Sequence, residues 1–299
     1  MTRRCQNCDQ VAGPGFCPHC GQEIEPRRGP LLEVGGELLS EWFSFDSRLL
    51  RSLRALGRPG RLSELYLAGK RAPFLRPFRF YLLASLVLFS TMLTLKSPDE
   101  AGLNIYIGGE LVVPPATGED QRDFEILTDE TSIGRWLIGR SGDQIARMRE
   151  LPRQQVMDTL FGGLRRVLPL TLILFVPFLA LGLKLLYLPI RRRSRERAVR
   201  TFYLDHLVFA LHYQSALFFA LSAAWLFTQI ARIELPASVI AYAVVAVAMI
   251  LVYLPLALRR FYRQSWPWTA IKSFAVLYIY SQLSGLAFGL AVLVAIRSL

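Results

Sequence analysis

Five apolar stretches, at about residues 80–95, 167–190, 207–230, 237–258 and 274–296, constrain this chain more than any other feature. Each approaches the roughly 17 to 25 residues that a helix needs to cross a bilayer. The first is the shortest, but Arg76, Arg79 and Tyr81 at one end and Lys96 with Ser97-Pro98 at the other mark it as a span with interfacial anchors. With 53% hydrophobic and only 19% charged residues in 299, the chain carries more apolar surface than one soluble core would bury. Five spans are expected.

The placement of charge orients them. Thirteen Lys or Arg residues precede the first stretch. Arg191, Arg192, Arg193, Arg195, Arg197 and Arg200 follow the second, and Arg259, Arg260, Arg263 and Lys272 follow the fourth. Basic flanks remain on the cytoplasmic side. Residues 96–166, with nine basic and twelve acidic side chains, and the nearly neutral connection 231–236 then fall outside. The expected topology has the N-terminus in and the C-terminus out. The first 22 residues have no apolar run or cleavage site of a signal peptide, which agrees. The net charge of +12 is spread over juxtamembrane flanks without a continuous groove or stripe, so the partner it implies is an anionic lipid surface and no nucleic acid is expected.

All four cysteines lie near the start, as Cys5-Gln-Asn-Cys8 and Cys17-Pro-His-Cys20-Gly21. Each C-x-x-C turns two thiolates toward one point, and two such knuckles complete the tetrahedral sulfur shell that zinc prefers. Disulfides are disfavoured for thiols on a reducing side of the membrane. Zinc is therefore the expected cofactor, with Cys5, Cys8, Cys17 and Cys20 as ligands and His19 solvated. A module this small buries little without its metal.

After a Pro/Gly linker at 26–30, Leu31, Leu32, Leu38, Leu39, Trp42, Phe43 and Phe45, then Leu49, Leu50, Leu53 and Leu56, recur at helical spacing beside Arg48, Arg51 and Arg54. Asp46 is placed to cap the second helix, and Gly57 with Pro59 to end it. Such helices suit either the membrane interface or the protein's own cytoplasmic face. Outside, the runs 103–107 and 110–113 flank Gly108-Gly109, a two-residue hairpin signature. Ile145, Met148, Val156, Leu160, Phe161 and Leu164 trace an apolar helix face expected to lie along the outer leaflet. Glu119, Asp120 and Asp123 are expected in a solvated acidic loop.

The fold class that follows is mainly α, a helical transmembrane bundle of about five spans with a small N-terminal zinc ribbon and a small extracytoplasmic α+β insertion. The expected divisions are a ribbon over 1–25, cytoplasmic or interfacial helices over 26–78, a first span over 79–96, an extracytoplasmic segment over 97–166 and the remaining spans over 167–299.

Polar residues inside spans are costly unless paired. The third span opens with Tyr203-Leu-Asp-His206-Leu-Val-Phe-Ala-Leu-His212-Tyr-Gln-Ser215. Asp205 and His212 share a face, while the two histidines point about 120° apart, unlike the i, i+4 pair of a helical metal motif. A hydrogen-bond network, a proton relay and a cofactor ligated together with another helix all stay open. Gln229, Tyr280, Ser281 and Gln282 are candidate partners.

The ribbon with Phe16-Cys-Pro-His-Cys-Gly-Gln22, Phe45-Asp46, the run from Pro59-Gly60 to Gly69-Lys70-Arg71 with Pro77-Phe78-Arg79-Phe80-Tyr81, and His206-Leu-Val-Phe-Ala-Leu-His212 resembles an uncharacterised bacterial membrane family with an N-terminal zinc ribbon. Asp9 departs from the glycine often found in the first knuckle, which should loosen that turn but spare the ligands. The resemblance implies the architecture, a bacterial inner-membrane location and no known activity. Lys70, Arg71 and Arg79 are candidates to contact lipid phosphate, with positive-inside anchoring as the plainer role. Two functions fit. One is a membrane-anchored adaptor or scaffold whose ribbon docks a cytoplasmic protein; the other is a transporter or membrane enzyme using Asp205, His206 and His212. The chain has no recognised catalytic motif or inverted repeat, which favours the first.

Overall fold

The computed structural model describes residues 3–24, 47–93, 103–107, 110–111, 122–126, 151–188, 202–233 and 237–297. It is mainly helical and divides into two compact units, Met1–Leu88 with Val176–Tyr278 and Phe89–Phe175 with Ile279–Leu299. The amphipathic stretch before Ser47, the Asp46 cap, residues 145–150 and the arginine cluster 191–200 lie outside the described residues.

The ribbon is built on two short antiparallel strands, β1 (Arg3–Arg4) and β2 (Val11–Ala12), paired Arg3 to Ala12 and Arg4 to Val11. Helix α1 (Ser47–Leu56) buries Ser52, Ala55 and Leu56 and stops at Gly57. The Ser52 hydroxyl donates to the Arg48 carbonyl at 2.8 Å and accepts the Leu75 amide at 3.0 Å. The second bond ties α1 to the segment before Pro77. Helix α2 (Arg61–Leu67) starts after Gly60, whose φ of 72° lies in the left-handed region that favours glycine. Pro77 opens α3 (Pro77–Leu93), a position where its missing N–H costs nothing.

In the second unit, β3 (Leu103–Ile107) pairs antiparallel with β4 (Glu110–Leu111) around the Gly108-Gly109 step, as the hairpin signature predicts. A parallel β5 (Arg122–Ile126) completes the sheet, in register Leu103 to Arg122 through Ile107 to Ile126. Asp123 is thus a strand residue, which corrects its expected place in a loop. The alternation Asp-Phe-Glu-Ile reads as strand once the charges are discounted; Glu119 and Asp120 lie outside the described residues. Helix α4 (Arg153–Leu186) runs unbroken for 34 residues. The separate surface helix expected before the second span is, from Arg153 onward, the first part of this one helix, because Gly162, Gly163 and Pro169 do not break it.

Helix α5 (Tyr203–Ile230) is followed by α6 (Ala237–Ala248), a π-helical turn at Met249–Tyr253, α7 (Leu254–Tyr262) and α8 (Trp266–Arg297). Pro255 explains the π turn: with no N–H it cannot serve the carbonyl four residues back, and the helix widens there. Among the described residues, two helices are long and apolar enough to cross a membrane, Tyr203–Ile230 and Ile240–Tyr262. They differ in setting. Residues 209–218 of α5 are all buried, whereas Ile240, Val244, Val247, Leu251 and Val252 are exposed.

Candidate metal centre and buried histidines

The two knuckles are built alike. Cys5 N–H donates to Gln10 C=O and Asp9 N–H to Cys5 C=O, both at 2.8 Å; Cys17 N–H donates to Gln22 C=O at 2.8 Å and Gly21 N–H to Cys17 C=O at 2.9 Å. Asp9 takes φ 60° where Gly21 takes 67°, and its carboxylate meets Arg4 at 3.3 Å. Aspartate is among the few side chains that visit this region readily, so the first knuckle closes with the same two bonds as the second. The expected loosening is not seen.

The four sulfur atoms lie within 4.8 Å of one another, with Cys5 to Cys20 and Cys8 to Cys17 each at 3.6 Å. A tetrahedral ion with metal–sulfur bonds of about 2.3 Å needs sulfurs about 3.8 Å apart, so the cluster could hold a metal ion. His19 is exposed and outside the cluster. Left to themselves the thiols ionise unequally. Burial raises the Cys20 thiol, but hydrogen bonds from Asn7, the Gln22 backbone, Cys8 and Cys5 outweigh it and bring it down to about 7. The Gln10 backbone lowers Cys8, yet burial and hydrogen bonds to Cys20, Cys17 and Cys5 push it up to about 12. A cluster this tight does not carry several negative charges without a cation.

The ribbon rests on the turn after α2. The Gln22 side chain donates from Nε2 to Gly69 C=O at 2.9 Å, and its Oε1 accepts the Arg71 and Ala72 amides at 3.1 and 3.2 Å. Lys70 and Arg71 on that turn are exposed, with the Arg71 guanidinium 5.5 Å from the Tyr66 ring centre; Arg79 on α3 is half-buried. Gln22 had no role assigned from the sequence, because its partners lie about fifty residues away.

Both histidines of α5 are buried and bonded to other helices. His206 Nδ1 stands 2.6 Å from the Tyr262 hydroxyl, and the two rings stack at 5.6 Å. Tyr187 stacks on Tyr262 at 3.5 Å, and Lys272 Nζ lies 3.7 Å from the Tyr187 ring centre, extending the column. His212, 2% exposed, has Nδ1 2.9 Å from the Ser63 hydroxyl, its Nε2 has no hydrogen-bond partner among the described residues, and Tyr66 and Phe80 meet its ring edge-on. Asp205 is half-buried, and Arg200, its anticipated partner, lies outside the described residues. The anticipated Gln229, Ser281 and Gln282 are exposed; the bonds go to Ser63 and Tyr262 instead. Nothing in the helical periodicity of α5 pointed to α2.

A cavity of about 10 Å³ beside His212, Ser63, Tyr213 and Tyr253 has room for about one water. The Ser63–His212 hydrogen bond joins α2 and α5. Replacing His212 with leucine should destabilise the detergent-solubilised protein by about 1–3 kcal/mol, since Ser63 loses its buried partner. Glutamine, which keeps a hydrogen-bonding group, should cost less than half of that. Adding Ser63→Ala to the leucine variant should cost less than the sum of the two changes. Strict additivity in thermal unfolding would show that the pair is not coupled.

Together these elements define a mainly helical chain with, among the described residues, two helices of membrane-spanning length and a four-thiol site able to hold a metal ion. A family model described as "Protein of unknown function (DUF3667)" matches residues 46–89. The match takes in α1, α2, the Gly69 turn and most of α3, including the Gly69-Lys70-Arg71 and Pro77-Phe78-Arg79-Phe80-Tyr81 motifs, and stops short of the ribbon and the histidines. No curated protein and no solved structure matches the chain.

Proposed function

We propose that this is a multi-pass protein of the bacterial cytoplasmic membrane, crossing it about five times with the N-terminus in and the C-terminus out, and that it serves as an adaptor. Its Cys5, Cys8, Cys17 and Cys20 hold zinc, and the ribbon so formed presents a docking face to a cytoplasmic protein. Residues 97–166 form the extracytoplasmic segment. Lys70, Arg71 and Arg79 contact anionic lipid phosphate at the inner face, where coulombic attraction is worth about 1 kcal/mol per basic residue.

The observation that carries this reading is the way the ribbon sits. One side is fixed to the Gly69–Ala72 turn through Gln22, while Val11 and Phe16 on the ribbon remain 59% and 66% exposed. A module fixed on one side with two uncovered apolar side chains is suited to meet a partner. The topology is supported by Glu64 of α2, which pairs with Arg260 and Arg263 at 3.1 and 3.2 Å, uniting two segments that the charge pattern assigns to the same side. The alternative, a transporter or membrane enzyme working through Asp205, His206 and His212, would need room for a substrate, and the water-sized cavity at His212 weighs against it.

A photo-crosslinking side chain in place of Phe16 should capture a discrete protein in cells. The capture should be lost when Val11→Ser is added, with zinc content unchanged. Absence of any crosslinked protein would overturn the adaptor reading, and a reporter fused after Leu299 that works only in the cytoplasm would overturn the topology.

A further inference from the structure

We propose that the ribbon is a metal-dependent latch on the Gly69–Ala72 turn, so that loss of the ion releases the end of that turn at Ala72. This rests on the four thiols being a metal site, and is independent of any partner.

The latch is built from one residue of each knuckle. Gln22 does two jobs at once. Its backbone carbonyl accepts Cys17 N–H at 2.8 Å, the bond that closes the second knuckle, while its side chain, 8% exposed, spends both lone pairs of Oε1 and an Nε2 proton on the turn. Gln6, between Cys5 and Cys8, lies directly over Gly69, so close that a Cβ there would overlap its side chain. Gly69 has φ 90°, a second reason for glycine at this position.

What holds Gln6 and Gln22 in register is the ribbon itself, and the ribbon has little of its own to hold it. Its buried cluster is Cys5, Ala12 and Cys17 packed with Cys8, Cys20 and Ile24, four thiols and two aliphatic side chains. Without a cation to join the two knuckles, a cluster of this size does not hold them together, and the two glutamines lose their common frame. The turn has bonds of its own, Gly69 N–H to Tyr66 C=O at 3.2 Å and Lys70 N–H to Leu65 C=O at 3.1 Å, which end α2. Ala72 N–H, by contrast, goes to Gln22 Oε1. Arg71 N–H also reaches Gly69 C=O at 3.0 Å, so unlatching frees the turn at Ala72 without unwinding α2.

The test uses the full-length protein in lipid nanodiscs, loaded with zinc chloride, and follows amide hydrogen exchange at Ala72. Stripping the metal with a chelator should speed that exchange about tenfold or more, the effect of losing one protecting hydrogen bond. Gln22→Ala should give the same acceleration while still binding one zinc per chain, which separates the latch from the metal site. Exchange in α2 should stay unchanged in both. An Ala72 amide that remains protected after the metal is removed, or in zinc-loaded Gln22→Ala, would overturn the proposal.

Discussion

Serine at both Cys17 and Cys20 is expected to abolish metal binding and unfold residues 3–24, while the helices of the chain stay folded. The ribbon has strands of two residues each and, besides its thiols, only Ala12 and Ile24 in its cluster. Modules well below about 40 residues do not bury enough to fold unaided, and a structural zinc site contributes about 10–16 kcal/mol in isolated zinc-finger peptides. Serine cannot replace that, since its hydroxyl stays protonated and is a poor zinc ligand. The helices make their own contacts: Glu64 with Arg260, Ser63 with His212, and the Tyr253 hydroxyl donating to Leu56 C=O at 2.7 Å. Limited proteolysis should then cut the variant within the ribbon while circular dichroism shows nearly full helix. A ribbon that resists protease with both thiols gone would mean that the fold does not depend on metal.

Gly60→Ala is expected to cost about 3 kcal/mol or more, through two effects at one position. Its φ of 72° alone costs an alanine about 1–2 kcal/mol. The added Cβ would also stand 2.7 Å from the Ala257 carbonyl oxygen and 3.1 Å from its Cα, atoms of α7 backbone that can move only with the helix. Moving α7 away from α2 disturbs the Glu64 ion pairs, and with them the neighbouring bond from Tyr253 of the π turn to Leu56 of α1. The internal control is Gly57→Ala three residues earlier. There a Cβ meets backbone oxygens at an ordinary 3.7 Å, and the change should be close to neutral. For a chain of this size the first variant should melt about 5–10 °C lower, the second within about 1–2 °C of the parent. Equal melting temperatures would show that α2 and α7 do not approach as closely as described.

The features legible in the sequence are those that depend on nearby residues. Two C-x-x-C pairs sixteen residues from end to end specify their knuckles because each turn closes on itself, and Gly108-Gly109 specifies the β3–β4 pairing for the same reason. Gly57 marked the end of α1. The misses have the opposite character. Gln22 and Gly69 are 47 residues apart, and Ser63 and His212 are 149 apart. Helical spacing says which face of α5 carries a histidine, but the partner on that face depends on how helices pack, and one sequence does not encode that locally. The parallel β5 was hidden because Asp123 read as loop, although Phe124 and Ile126 alternate with Asp123 and Glu125. Asp9 was judged by the residue more often found there, when its own tolerance of positive φ was the relevant property.

Metal content and metal-edge X-ray absorption of the purified, full-length protein test the central claim most directly. The account predicts one zinc per chain, surrounded by four sulfur ligands at about 2.3 Å. A protein isolated without metal, or a metal shell containing nitrogen or oxygen in place of one of the four thiolates, would contradict it.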